Sequence, residues 1–317
     1  MKPELTRRRV LAVIAGMGLA AQGVRAADAP VLEWHGTALG ADATLIFASS
    51  NKEQAEEALA ACLAEVDRLE QIFSLHIDTS EISQLNAHGV LAHPSFDMRA
   101  LLTQSLRMHR LTGGLFDPTV QAIWDFRRSE VGGNVETVGA IPASVLANVG
   151  FEKIAINTDR VALEQGVSIT LNGIAQGYIT DRVADILHRR GWKNVLIDLG
   201  EARVLDGRPF DVVIGENGRK IALSGGALAT SSSAPLPVGV SATLPHLFNP
   251  RSGAAASRAW STVSVAHASA AVADGLSTAL MLCDGDEAQR ARNILSGFPG
   301  ARAWIVRSDL TEIEIAA

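Results

Sequence analysis

The 317-residue chain has only two cysteines, Cys62 and Cys283. Two cysteines do not make a disulfide framework, and their spacing fits neither a zinc site nor a redox motif. Each is expected to pack as a small apolar residue, with a single bridge between them as the alternative. A basic patch is also missing outside the N-terminus, and the formal charge is −6, which argues against nucleic acid as the main partner. After the N-terminal stretch no run is long and apolar enough to cross a bilayer. There is no GxGxxG and no P-loop, so the ordinary nucleotide motifs are excluded. What is present is a globular composition, 47% hydrophobic and 20% charged. That length can bury the core of one large domain or two modest ones.

The first residues read as an address. Arg7-Arg8-Arg9 precedes an apolar run from Val10 to Ala21, and small residues near Ala26 allow cleavage. The segment is too short for a transmembrane anchor. Its paired arginines fit twin-arginine export, with general secretion as the alternative. No cysteine stands near the cleavage zone, so a lipoprotein anchor is not expected. The expectation is a signal peptide over 1–26, one domain over 27–317, and a periplasmic location.

Along the chain, Trp34–Phe47 alternates and predicts an opening hairpin. Asn51 can cap a helix running to Phe73, with Leu59, Leu63, Val66, Leu69 and Ile72 as its apolar stripe. Ser80–Asn86 begins with a capped turn, and Phe96–Leu111 is a second helix. Arg127–Ala143 is polar and reads as a surface excursion. Ile154–Ile169 reads as a hairpin, and Asn194–Leu199 as a buried strand. Pro209–Ile214 and Lys220–Leu223 flank a turn at Asn217-Gly218. Ala227–Thr230 and Thr262–Ala266 are strands, and Pro235–Thr243 is loop-like. Ala270–Leu282 and Glu287–Leu295 are helices, and Ala303–Val306 is a closing strand. Strands and helices mix without strict alternation, which favours α+β over a doubly wound sheet.

Four places carry chemistry. Val167, Ile169 and Leu171 alternate as a strand would, and the glycines Gly173 and Gly177 lead into a helix ending near Gly191. Such a junction either aims unpaired backbone N–H groups at a phosphate or is a plain strand–helix connection. Asp274 and Thr278, four apart, share a helix face. Their carboxylate and hydroxyl are hard ligands suited to Mg²⁺, or else a helix start and a self-satisfied threonine. His246, in a loop, is either solvated or placed to accept a proton from an attacking hydroxyl. Asp117 either caps a turn or bonds the edge of a heterocycle.

The order of these motifs resembles the ApbE family, the FAD:protein FMN transferases. The matching stretches are Gly36-Thr37, Ser80-Glu81 with Asn86, Gly114 with Phe116-Asp117-Pro118-Thr119 and Trp124, and Ile174-Ala175 with Gly177-Tyr178 and Asp181. Thr230-Ser231, His246 with Pro250-Arg251 and Gly253, and Ala273-Asp274 with Leu276-Ser277-Thr278-Ala279 complete them. The resemblance implies a T-fold-like, two-lobed single domain of mixed sheets with packed helices. It also implies that FAD is split at its pyrophosphate, FMN passes to a Thr or Ser hydroxyl of an acceptor protein, and AMP leaves. By resemblance Mg²⁺ is held by Asp274, Thr278 and the Gly173 carbonyl. FAD is contacted by Leu115, Phe116, Asp117, Gln176 and His246, with His246 as the base.

The chain departs from the family pattern in several places. His35 stands where the family usually has Met, and His76 where it has an aromatic; both flank FAD by resemblance. Thr170 replaces a common Asp, Gln176 a Lys or Glu, and Asn249 an Asp. Gly200-Glu201-Ala202 replaces a double glycine. An exported, divergent member resembles the branch serving nitrous oxide reductase maturation, whose acceptor is a membrane-bound redox protein; the alternative is a member serving sodium-pumping or Rnf-type membrane complexes. Two other expectations compete with this one, a periplasmic FAD-binding or flavin-donor protein and an Mg²⁺-dependent FAD pyrophosphatase.

Overall fold

A computed structural model gives the fold and describes residues 31–49, 51–130, 140–207, 209–214, 218–238, 242–283 and 288–317. The predicted signal peptide, the 131–139 part of the expected excursion, Asn217 of the hairpin turn and Glu287 lie outside the described residues.

In chain order the strands are β1 (Val31–Ala38), β2 (Ala41–Ala48), β3 (Val90–Ala92), β4 (Ile154–Ile156), β5 (Arg160–Leu163), β6 (Val195–Asp198), β7 (Ala202–Val204) and β8 (Phe210–Ile214). There follow β9 (Arg219–Leu223), β10 (Gly226–Ser232), β11 (Leu236–Val238), β12 (Ala242–Leu244), β13 (Trp260–His267), β14 (Arg302–Arg307) and β15 (Glu312–Ala316). The helices are α1 (Lys52–Phe73), α2 (Glu81–His88), α3 (Phe96–Leu111), α4 (Gln121–Glu130), α5 (Ala143–Leu146), α6 (Asn172–Arg189), α7 (Ala270–Leu280) and α8 (Ala288–Leu295).

The framework is an eight-stranded sheet in the order β1-β2-β6-β7-β10-β13-β14-β15, antiparallel at every step. Both of its faces are covered, and the period of two sorts them. Leu45, Phe47, Ile197, Val263, Val265 and Ile305 point into the main core with the helices. Their neighbours Ile46, Leu196, Val204, Leu228 and Trp304 point the other way, onto Phe210 and Val212 of the β8–β9 hairpin. The α+β expectation therefore holds, in a single domain.

Helix starts follow their caps. Asn51 Oδ1 accepts from Gln54 N at 3.1 Å, and Ser80 and Ser95 hydroxyls accept from Ser83 N and Met98 N. The buried stripe of α1 is Ala55, Ala58, Cys62, Val66, Leu69 and Ile72, so smaller residues than expected face inward and Leu59 packs at the edge. Both cysteines are buried, and among the described residues no disulfide joins them.

Several expectations are corrected. Val167–Leu171 is alternately buried but joins no sheet. Instead the Asn86 amide pairs with it, donating to the Ile169 carbonyl at 2.8 Å and accepting from Ile169 N at 2.8 Å. The hairpin before it stops at Leu163. Arg127 is not on an excursion; it is buried near the end of α4, ion-paired with Glu130 at 2.9 Å. The expected loop over Pro235–Thr243 contains the β11–β12 pair. Strand β15 pairs antiparallel with β14, beyond the strand expected to close the fold.

Candidate cation and nucleotide site

The site is made where α6 crosses α7. Helix α6 begins at Asn172 without a side-chain cap and departs from helical angles at Gly173, with φ −84° and ψ 15°. Its N-terminus is less open than the sequence implies. Asn172 N donates to Thr170 Oγ1 at 3.2 Å, and Ile174 N and Ala175 N both reach the Leu171 carbonyl. Thr170 N donates to the Pro118 carbonyl at 2.9 Å, so the 115–120 segment abuts the start of α6.

A straight helix gives the N–H of Gly177 to the Gly173 carbonyl. Here that N–H donates to Asp274 Oδ2 at 3.1 Å. A methyl group on Gly173 would lie 3.0 Å from Thr278 Oγ1, so the bend and the hydroxyl are pressed together. Thr278 thus packs on Gly173, and Asp274 bonds the N–H one turn further along α6. Asp274 is 4% exposed, and Thr278 is half-buried. Ser277 Oγ donates to the Asp274 carbonyl at 2.9 Å and bonds Ser231 Oγ at 2.8 Å, tying α7 to β10.

The electrostatics are acidic. Burial, and then the charge of Asp181, push Asp274 up to about 7. Glu201, on the β6–β7 turn, is raised well above the usual carboxylate range by burial and by the charges of Asp274 and Asp198. Asp198 is pushed up to about 6, mainly by burial. Sequence reasoning noted Glu201 only as a replaced glycine and missed Asp198, because nothing in a residue string marks a carboxylate at a strand end or turn as buried. Among the described residues no three His, Cys, Asp or Glu side chains stand close enough to hold a metal by themselves. Hydroxyl and carbonyl oxygens must complete any set, and Thr278 and Gly173 supply those types. A hard divalent cation such as Mg²⁺ fits this donor chemistry and the uncompensated negative charge.

A pH dependence follows. In the unfolded chain Asp198 and Asp274 ionise near 4, while in the folded chain they keep their protons until about 6 and about 7. Between those values the folded state binds more protons, so stability falls as pH rises. Metal-free protein is expected to melt at a higher temperature at pH 5 than at pH 7.5, as read by calorimetry. A flat profile over that interval would contradict the assigned burial.

The remaining predicted residues are spread around this point. Gln176 lies against the β6–β7 turn, where a methyl on Gly200 would come 2.6 Å from its Nε2. His35 is on β1, its Nδ1 3.1 Å from Thr44 Oγ1, and Thr44 pairs in turn with Asp198 across β2–β6. His76 is exposed in the turn after α1. Leu115 and Phe116 are buried in the main core, so their side chains face away from solvent. Asp117 caps the 3₁₀ turn Pro118–Val120. Its Oδ1 accepts from Thr119 N and Oγ1, and its Oδ2 accepts from Phe151 N and lies 3.3 Å from His109 Nδ1. With three protein hydrogen bonds and the His109 ring around that carboxylate, a ligand contact at 115–117 falls to the main chain. His109, Arg110, Gly114, Asp117 and Arg251 line a cleft of about 650 Å³ beside it.

His246 is not solvated. Its carbonyl accepts from Trp124 Nε1 at 3.0 Å, which anchors the loop to α4. Its Nδ1 is buried with no hydrogen-bond partner among the described residues. Burial holds its pKa below the ordinary histidine value, with a backbone bond at Ala234 pulling the other way. A neutral imidazole with one unengaged nitrogen is suited to take up a proton.

An antiparallel sheet backed by crossed helices is the architecture of solved flavin transferases. The apo form of the flavinyl transferase ApbE of Pseudomonas stutzeri has a TM-score of 0.76 to this chain at 22% identity, covering 91% of this chain and 96% of the other. The ApbE protein of Thermotoga maritima also has a TM-score of 0.76, at 25% identity, covering 90% and 97%. The FAD:protein FMN transferase of Haemophilus influenzae is 24% identical over 269 residues, 76% of this chain and 75% of the relative. The chain belongs to the ApbE family, whose model matches residues 39–297.

Proposed function

We propose that this chain transfers FMN from FAD to a Thr or Ser hydroxyl of an acceptor protein, releasing AMP. The observation that carries the reading is the packing of Thr278 on the Gly173 bend with Asp274 bonded to the next turn of the same helix, in a chain of the ApbE family. Asp274, Thr278 and the Gly173 carbonyl would hold Mg²⁺, which supplies Lewis-acid neutralisation of the pyrophosphate. Gln176, Thr170 and the 115–117 main chain would contact FAD, and His35 and His76 would flank it. His246 Nδ1 accepts the proton of the acceptor hydroxyl, because the imidazole is held neutral and that nitrogen has no hydrogen-bond partner among the described residues.

The location is periplasmic on the strength of the arginine-led N-terminal run. The acceptor is a membrane-bound redox protein, of nitrous oxide reduction in the branch that an exported, divergent member resembles, while the departures at Thr170 and Gln176 motivate the flavin-carrier alternative.

One assay tests the core of this. Protein, FAD, Mg²⁺ and a candidate acceptor are combined and read by in-gel flavin fluorescence and mass. Labelling that disappears with EDTA supports the transferase. Bound FAD without turnover would make the chain a flavin carrier, and free FMN and AMP without labelling would make it a pyrophosphatase. In the same assay His246→Ala is expected to slow transfer by about 10²-fold or more while FAD still binds. An unchanged rate would remove His246 as the base.

A further inference from the structure

Asp274 and Thr278 can share a cation with Gly173 only if α7 holds one register against α6. Asp181, one turn beyond Gly177 on α6, sets that register. Its Oδ2 accepts from Ser269 Oγ at 2.6 Å and from Ala271 N at 3.1 Å, and its Oδ1 accepts from Ala270 N at 2.8 Å. Ser269 in turn caps α7 by accepting from Val272 N at 3.3 Å. The carboxylate of one helix thus satisfies the orphan N–H groups at the start of the other. Arg203 of β7 completes the arrangement, donating to Asp181 Oδ1 and, at 3.0 Å, to the Ala268 carbonyl. Three elements converge on this carboxylate, and none of its bonds reaches the cation point itself.

We infer that Asp181, braced by Arg203, is a positioning residue that fixes α7 so that Asp274 and Thr278 face Gly173 at cation-binding distance. This rests on the cation reading above. Partners that orient metal ligands without touching the metal typically govern affinity by 10–100-fold.

The test is Mn²⁺ binding to the purified protein, followed by electron paramagnetic resonance alongside melting curves. Asp181→Ala is expected to raise the Mn²⁺ dissociation constant by about tenfold or more. Arg203→Met keeps the three bonds to α7 and is expected to move the constant in the same direction by less. If Asp181→Ala does not fold, the Arg203→Met shift alone decides. Variants that melt earlier but bind Mn²⁺ as wild type would overturn the inference, since Asp181 would then be structural only. Asp274→Ala is the control. If it binds Mn²⁺ as tightly as wild type, the cation reading itself fails, and this inference fails with it.

Discussion

Asp274→Ala is expected to abolish flavin transfer and, at the same time, to make the metal-free protein harder to melt. A bound Lewis-acid cation lowers a phosphoryl-transfer barrier by several kcal/mol, and about 1.4 kcal/mol is a factor of ten. The rate should therefore fall by on the order of 10³ or more. The stability gain comes from burial. Holding this carboxylate at about 7 costs the folded chain on the order of 4 kcal/mol once the group is ionised. Removing it leaves the Gly177 N–H without its acceptor, at about 1–3 kcal/mol. The first figure exceeds the second, so the net at pH 8 is stabilising. In-gel fluorescence reads the first effect and calorimetry without metal reads the second. A variant with normal turnover would move the cation elsewhere.

Gly177→Ala is expected to cost about 3 kcal/mol of stability. The added methyl would lie 2.4 Å from the Ala270 carbonyl oxygen and 2.7 Å from Ala271 Cα. Both atoms are backbone at the start of α7, so no rotamer change relieves the clash. Relief requires the helices to part, which pulls Asp274 off the Gly177 N–H and Thr278 off Gly173. Denaturant unfolding measures the loss, and Mn²⁺ binding should weaken in whatever fraction folds. A change within about 0.5 kcal/mol would mean that α7 can slide, and that this close approach is not what sets the crossing.

Much of this was legible in the sequence, for reasons that differ by element. Asn51 and the period of the following residues mark α1 because capping and amphipathicity are local. The Asp274–Thr278 spacing is legible because helix geometry fixes it, whatever the helix packs against. What the residues cannot say is who completes a local pattern. Val167–Leu171 alternates correctly, yet its partner is a single amide, Asn86, from α2. Asp117 could cap or read a base, and only the approach of Phe151 and His109 decides how its oxygens are used. The strand with Pro237 was hidden by a residue that cannot donate to a ladder. Glu201 and Asp181 matter through neighbours brought by the fold, Asp274 for one and the start of α7 for the other.

The two unbridged sulfurs have a consequence of their own. Cys62 is sealed beneath α1, and burial pushes its thiol up to about 12, so almost none of it is thiolate at neutral pH. Oxidants and exchange partners attack the thiolate, and a sealed thiol offers them nothing. Cys283, just past α7, is equally enclosed. A chain that completes its core before meeting an oxidising compartment carries both sulfurs through unaltered; one that arrives extended exposes them to mispairing.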